Sequence, residues 1–179
     1  MARFVRMGHW SSGKKKHYTY AQISTNKTVF FKFFGGEGIG KTSIALRFCK
    51  NKFRDQAQCS VDEKQMIRSV PEAKDFKARF CEKSTFSPTV FLICFSIIDR
   101  SSYEYILKRW PKHGYQHHTA ILVGTHSDCN ASRTVSVDEV NALAKEKSLK
   151  YFECSSKTGE NVLEAVVYLM NRHLNSISP

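Results

Sequence analysis

An α/β fold is what this sequence predicts: a doubly wound, mostly parallel sheet with helices on both faces. Three observations lead there. From about residue 28, short apolar runs alternate with amphipathic stretches. Two of the runs, Val90–Ile98 and Ala120–Gly124, are almost unbroken in apolar character, as strands covered on both sides are. A glycine-rich turn, Gly35–Gly40, separates a β-rich run from a helical one. In such domains ligands bind at turns of this kind, at the carboxyl ends of the strands.

The elements follow in order. Thr28–Phe34 (TVFFKFF) is rich in β-formers and stops at Gly35. Lys41–Lys50 (KTSIALRFCK) reads as a helix. Arg54–Pro88 is polar, charged and weakly periodic, and Met66–Val70 is its only strand-like run before Pro71. Val90–Ile98 is a buried strand, followed by a helix over Ser101–Trp110 with Asp99 or Ser101 as N-cap. Ala120–Gly124 is a second buried strand. Val137–Lys147 is helical, with Ser136 as N-cap and Glu139 completing a capping box. Leu149–Cys154 is a short strand, and Asn161–Leu174 a final amphipathic helix.

A length of 179 residues suits one domain, and 41% hydrophobic with 25% charged residues excludes a disordered chain. No apolar run approaches the ~18 residues of a membrane span. The net charge is +12, half of it in residues 1–28, which hold six Lys and Arg and no acid. The expected division is a basic extension at 1–27, a domain at 28–175 and a short tail at 176–179. The extension offers weak attraction to acidic surfaces, but it carries no nucleic-acid motif, so no nucleic-acid partner is expected. Without an apolar h-region it is not a secretory signal. The six cysteines form no CxxC pair. Reduced thiols and a cytoplasmic location are expected.

Gly35-Gly36-Glu37-Gly38-Ile39-Gly40-Lys41-Thr42 fits G-x-x-x-x-G-K-[ST], with a strand before it and a helix after. Glycines let backbone N–H groups turn inward on a phosphate, and the helix N-terminus adds partial positive charge. Lys41 would reach the β- and γ-phosphates, and the Thr42 hydroxyl would ligate Mg²⁺. The fold is therefore expected to be of the P-loop NTPase type. The loop does not name the base, because kinases, ATPases and GTPases share it.

Two further segments bear on the base. Thr125-His126-Ser127-Asp128, directly after AILVG, resembles the guanine-specificity motif [NT]-K-x-D of Ras-superfamily small GTPases. Glu153-Cys154-Ser155-Ser156-Lys157-Thr158-Gly159-Glu160-Asn161 resembles that family's final loop, ETSAKTGEN. Val90–Ser96 and Trp110-Pro111 are similar to the Rho/Rac branch, although Cys129–Val135 is too short for that branch's inserted helix. The resemblance implies a bound GTP or GDP with Mg²⁺. Asp128 would accept the guanine N1 and N2 hydrogens, and Thr125 would fix its loop. Ser155 and the N–H groups of Ser156 and Lys157 would surround the guanine O6. Phe53 matches the aromatic that packs on base or ribose. His126 replaces the motif's lysine; an imidazole is shorter and mostly neutral at pH 7, so weaker nucleotide affinity is expected. His113, His117, His118, His126 and Cys129 match no metal-site spacing.

The switch chemistry that the resemblance implies is missing. There is no glycine between Gly40 and Gly114, hence no D-x-x-G, and no threonine between Thr42 and Thr85 to close over Mg²⁺. Ser60 and Ser69 are weak stand-ins. Where the family carries its catalytic glutamine, this chain reads Arg68-Ser69-Val70-Pro71-Glu72-Ala73-Lys74-Asp75-Phe76. No catalytic residue is assignable. Glu37 would add negative charge beside the phosphates or stand out in solvent. The switch hairpin is expected to be truncated or lost. There is no C-a-a-X cysteine at Asn175–Pro179 and position 2 is Ala2, so no lipid anchor is expected. The leading expectation is a Rho/Rac-like guanine-nucleotide-binding protein with poor hydrolysis. A non-switching pseudo-GTPase is the alternative. A switch using substitutes within Ser60–Asp75, or another P-loop enzyme such as a nucleotide kinase, stays open. Effectors and regulators are not legible.

Overall fold

A computed structural model describes residues 28–53, 67–73, 76–80, 90–109 and 119–177. Six strands form one sheet: β1 (Thr28–Phe34), β2 (Ile67–Val70), β3 (Phe76–Phe80), β4 (Val90–Ser96), β5 (Thr119–Thr125) and β6 (Lys150–Cys154). Four helices accompany them: α1 (Lys41–Lys50), α2 (Arg100–Arg109), α3 (Val137–Glu146) and α4 (Val162–Ile177). The spatial order is β2-β3-β1-β4-β5-β6. Among the described residues only the β2–β3 pair is antiparallel; the other pairings are parallel. This is the mixed α/β, mostly parallel architecture that the apolar runs predict.

The unbroken apolar strands feed two cores. Along β4, Val90, Leu92 and Cys94 face α1 and α4, while Phe91, Ile93 and Phe95 face α2 and α3. β5 divides likewise, Ile121 and Val123 against Ala120 and Leu122. A strand with both faces buried has no polar position to alternate with, so its sequence loses period-2 character.

The hairpin is not lost. β2 and β3 have four and five residues and pair from Ile67↔Arg79 to Val70↔Phe76. Pro71 has no N–H to continue the ladder; it ends β2 and opens a 3-10 turn over Pro71–Ala73. Phe80 ties the hairpin inward, its ring 5.0 Å from Phe31, 5.3 Å from Phe33 and 5.7 Å from Phe48. From β2, Arg68 donates to the Phe48 carbonyl (2.8 Å) and lies 5.1 Å over the Phe48 ring.

Helix ends bring three adjustments. Asp99 is the cap of α2: its Oδ1 accepts from the Ser101 N–H (3.0 Å) and hydroxyl (2.7 Å). Ser136 caps α3 by accepting from the Glu139 N–H (3.2 Å), but the reciprocal half of the capping box is absent. The Glu139 carboxylate goes instead to Arg100, in a bidentate pair at 2.5 and 2.7 Å. A charged fork outbids one backbone N–H. Finally, α4 runs to Ile177, past the expected helix end at Leu174.

The described cysteines are free thiols. Burial pushes Cys49 and Cys154 up to about 12 and raises Cys94 as well, which keeps these sulfurs protonated and unreactive. Among the described residues no helix is long and apolar enough to cross a membrane.

Candidate nucleotide-binding site

The glycine-rich segment lies between β1 and α1, as its spacing requires. Gly35 has φ +145°, and a Cβ there would collide with the Cys94 carbonyl oxygen and stand 2.7 Å from Ile39 Cδ1. Gly38 (φ +73°) and Gly40 (φ +84°) also occupy backbone regions that side chains disfavour. Gly40 is the N-cap of α1 but supplies no side-chain cap, and the first turn of α1 holds no acid. The positive end of the helix is therefore uncompensated, a setting that suits an anion. The Lys41 ammonium arches over the loop and donates to the carbonyls of Gly35 (3.3 Å) and Gly36. Glu37 is exposed at the loop's tip. Thr42 follows Lys41 in the first turn.

The loop after β5 braces this cradle. Thr125 is buried, and its hydroxyl donates to the Ile39 carbonyl (2.8 Å) in the middle of the phosphate loop. His126 takes φ +65°, which turns its ring onto the loop. A Cβ on Gly40 would lie 3.6 Å from His126 Cε1. His126 Nδ1 stands 3.0 Å from both Ser96 Oγ and Thr125 Oγ1. The Thr125 hydroxyl also lies 3.2 Å from the Phe95 carbonyl. A shorter side chain thus still reaches the phosphate loop, steadied by two hydroxyls. Ser96, whose part no motif spacing signals, supplies one of them.

Asp128 lies in the first turn of a 3-10 segment over Ser127–Ser132. Its Oδ1 accepts from the Ser155 hydroxyl at 2.7 Å. Partial desolvation opposes its ionised form, but the Ser155 hydroxyl, main-chain and Cys129 hydrogen bonds, and the Lys157 charge hold the carboxyl below its ordinary range. It is a fixed acceptor at neutral pH. Ser155 is fully buried and takes the Thr158 N–H on its hydroxyl (3.1 Å). Ser127 donates to Glu160 (2.8 Å), and Gly159 turns the chain with φ +93°. Hydrogen bonds thereby tie Thr125 to the phosphate loop and Asp128 to Ser155, with Ser156 and Lys157 next in the same loop.

Arg47, on α1, is a residue the motifs do not flag. It donates from Nε to the Ser156 carbonyl and from Nη2 to the Lys157 carbonyl, both at 2.6 Å. No local signal relates residue 47 to residues 109 and 110 positions away. Phe53 is half-exposed beyond the end of α1, and the described residues give it no ring or hydrogen-bond partner. His113, His117, His118, Ser60, Lys74, Asp75 and Trp110-Pro111 lie outside the described residues. Ser69 is exposed on β2.

A second network supports the base loop from behind. Arg133 forks onto Glu153 at 2.9 and 2.6 Å, and the Tyr151 hydroxyl donates to the same carboxylate at 2.7 Å. Gly124 makes room for it: a Cβ there would stand 2.6 Å from Tyr151 Oη. Burial raises the Glu153 pKa, but hydrogen bonds from Arg133 and Tyr151 lower it further, to a net value below the ordinary 4.5. A depressed carboxyl stabilises the fold above its unfolded pKa and loses that contribution as pH falls through the folded value. Acid titration of stability should therefore show a steeper loss below pH 4.5 in the parent than in Glu153→Gln. Equal slopes would remove this network from the stability balance.

The arrangement as a whole fits a nucleoside phosphate. It offers a glycine cradle at an uncompensated helix N-terminus, a lysine over the loop and an ionised carboxylate beside it. Comparison with known proteins agrees. The Ras family model matches residues 73–175. Among relatives, the chain is 25% identical to human "Ras-related and estrogen-regulated growth inhibitor" over 171 residues, covering 85% of this chain and 84% of that one. It is 26% identical to Ras-related protein Rab-1 of Theileria parva (73% and 67% covered) and 27% identical to GTP-binding protein ypt2 of Schizosaccharomyces pombe (73% and 74%). The family model starts after the phosphate loop, but 85% coverage of the chain necessarily includes Gly35–Thr42. The chain is a small GTPase-type protein of the Ras superfamily. It belongs to the Ras family. The relatives named carry Ras- and Rab-type names, so the Rho/Rac likeness rests on Val90–Ser96 and Trp110-Pro111 alone.

Proposed function

We propose that the chain is a guanine-nucleotide-binding protein whose intrinsic GTP hydrolysis is weak or absent. The observation that carries this reading is the Thr125–Ile39 hydrogen bond at 2.8 Å. It locks the base loop to the phosphate loop, so guanine selection and phosphate binding form one unit. Lys41 and the loop N–H groups would hold the phosphates, and the Thr42 hydroxyl would ligate Mg²⁺, which neutralises charge on the β- and γ-phosphates. Asp128 would select guanine, with Ser155 and the N–H groups of Ser156 and Lys157 around O6. Poor hydrolysis follows from the sequence, which lacks D-x-x-G, the first-switch threonine and the glutamine. A Rho/Rac-like place in signalling, a cytoplasmic location and weak contact of residues 1–27 with acidic surfaces complete the reading.

Titration calorimetry with GDP, GTP and ATP tests it. GDP and GTP should bind and ATP should not; absence of guanine binding at high micromolar concentration sinks the reading. Single-turnover hydrolysis should stay near the level of Lys41→Ala.

A non-switching form of the same protein is favoured by one observation: no glycine lies between Gly40 and Gly114 to offer its N–H to a γ-phosphate. Without such a contact the two nucleotide states present the same surface. Partner affinity that differed strongly between GDP- and GTP-loaded protein would exclude it.

A further inference from the structure

We infer that Arg47 is a positioning residue for base recognition, acting through the peptide units of the final loop. The inference rests on the guanine-binding reading and goes beyond it by naming what orients the loop. The described peptide bonds include no cis bond. In a trans peptide the C=O and the following N–H point in opposite directions. Arg47 draws the Ser156 and Lys157 carbonyls to its own side at 2.6 Å each. The Lys157 and Thr158 N–H groups must then point away from it. For Thr158 the destination is visible: its N–H meets Ser155 Oγ at 3.1 Å, and that hydroxyl donates to Asp128 at 2.7 Å. The side opposite Arg47 is therefore the Asp128 side, and the Lys157 N–H is turned towards it.

Two features make this a fixed clamp. Nη1 is anchored on Asn51, at 3.3 Å to its carbonyl and 3.2 Å to Oδ1. Gly159 passes close over the stem, where a Cβ would sit 3.7 Å from Arg47 Cδ. A guanidinium presents its donors in a rigid fork, and an ammonium does not. Arg47 also shares α1 with Lys41 and Thr42, so one rigid helix sets the phosphate end and the O6 end of the site.

The test uses the full chain and two nucleotides, GDP and the 5′-diphosphate of 2-aminopurine riboside, which lacks the 6-oxygen and the N1 hydrogen but keeps the 2-amino group; the comparison is between parent and variant for each nucleotide, so the Asp128 difference cancels. Arg47→Ala should lower GDP affinity about tenfold, the scale of one hydrogen bond to a charged or polarised group. Affinity for the 2-aminopurine nucleotide should change little, so the discrimination ratio falls. Arg47→Lys should recover part of it. Amide hydrogen exchange in nucleotide-free protein should quicken at Thr158 and Gly159 in Arg47→Ala. An equal loss for both nucleotides, or none for either, overturns the inference. If Arg47→Ala does not fold, Arg47→Lys carries the test, and a parent-like ratio there overturns it. Parent protein that binds no GDP overturns the guanine-binding reading itself. In that case the exchange measurement alone still decides whether the clamp orders the loop.

Discussion

Asp128→Ala should reduce GDP affinity by about two orders of magnitude or more, since two charge-assisted hydrogen bonds are lost together. The carboxylate is held ionised by the Ser155 hydroxyl and the Lys157 charge. Asp128→Asn offers a sharper measurement. Its amide can donate, so it should favour xanthine, whose C2 carbonyl accepts, over guanine, whose C2 amine donates. The sign of the pH dependence follows from the lowered carboxyl. GDP affinity should hold through neutral pH and fall only on acidification, as the acceptor becomes protonated. Calorimetry with GDP and XDP across pH reads all three effects. Undiminished GDP binding by Asp128→Ala would place the base elsewhere.

The largest stability effect is expected at Gly35. Alanine there would have to hold φ +145° and drive a methyl group into the Cys94 carbonyl, which sits in the centre of the sheet on β4. Backbone strain and overpacking together should cost about 3 kcal/mol. Nucleotide binding should go with it, because the loop can only relieve the clash by leaving its cradle. Gly36→Ala is the control. No atom lies within 4 Å of its Cβ position, so its effect should stay within about 0.5 kcal/mol. Denaturant unfolding of the two variants separates a steric requirement from a general preference for glycine. Equal effects would show that Gly35 is not held as described.

Much of this molecule is legible from sequence because its signals are local. The phosphate loop is eight consecutive residues, and the buried strands β4 and β5 announce themselves by composition. What is not legible depends on distant partners. Glu139 reads as half of a capping box, but Arg100, brought over by α2, takes its carboxylate. Arg47 reads as an ordinary basic residue near a helix end, and only tertiary structure brings it onto the Ser156 and Lys157 carbonyls. His126 reads as a defect in a lysine motif; the left-handed turn at 126 and the hydroxyl of Ser96 let the shorter ring reach Gly40. The hairpin is hardest to read, since β2 has four residues, and in so short a run periodicity cannot separate a strand from a loop.

The hairpin's place in the sheet has its own consequence. β2 is an edge strand, and β3 joins the rest only through β1. The cradle and both base loops hang from β1, β4, β5, β6 and α1. The hairpin is nonetheless coupled to the helix that carries Lys41, because Arg68 and Phe80 both touch Phe48, so substitutions at either residue act on α1 from outside the loops.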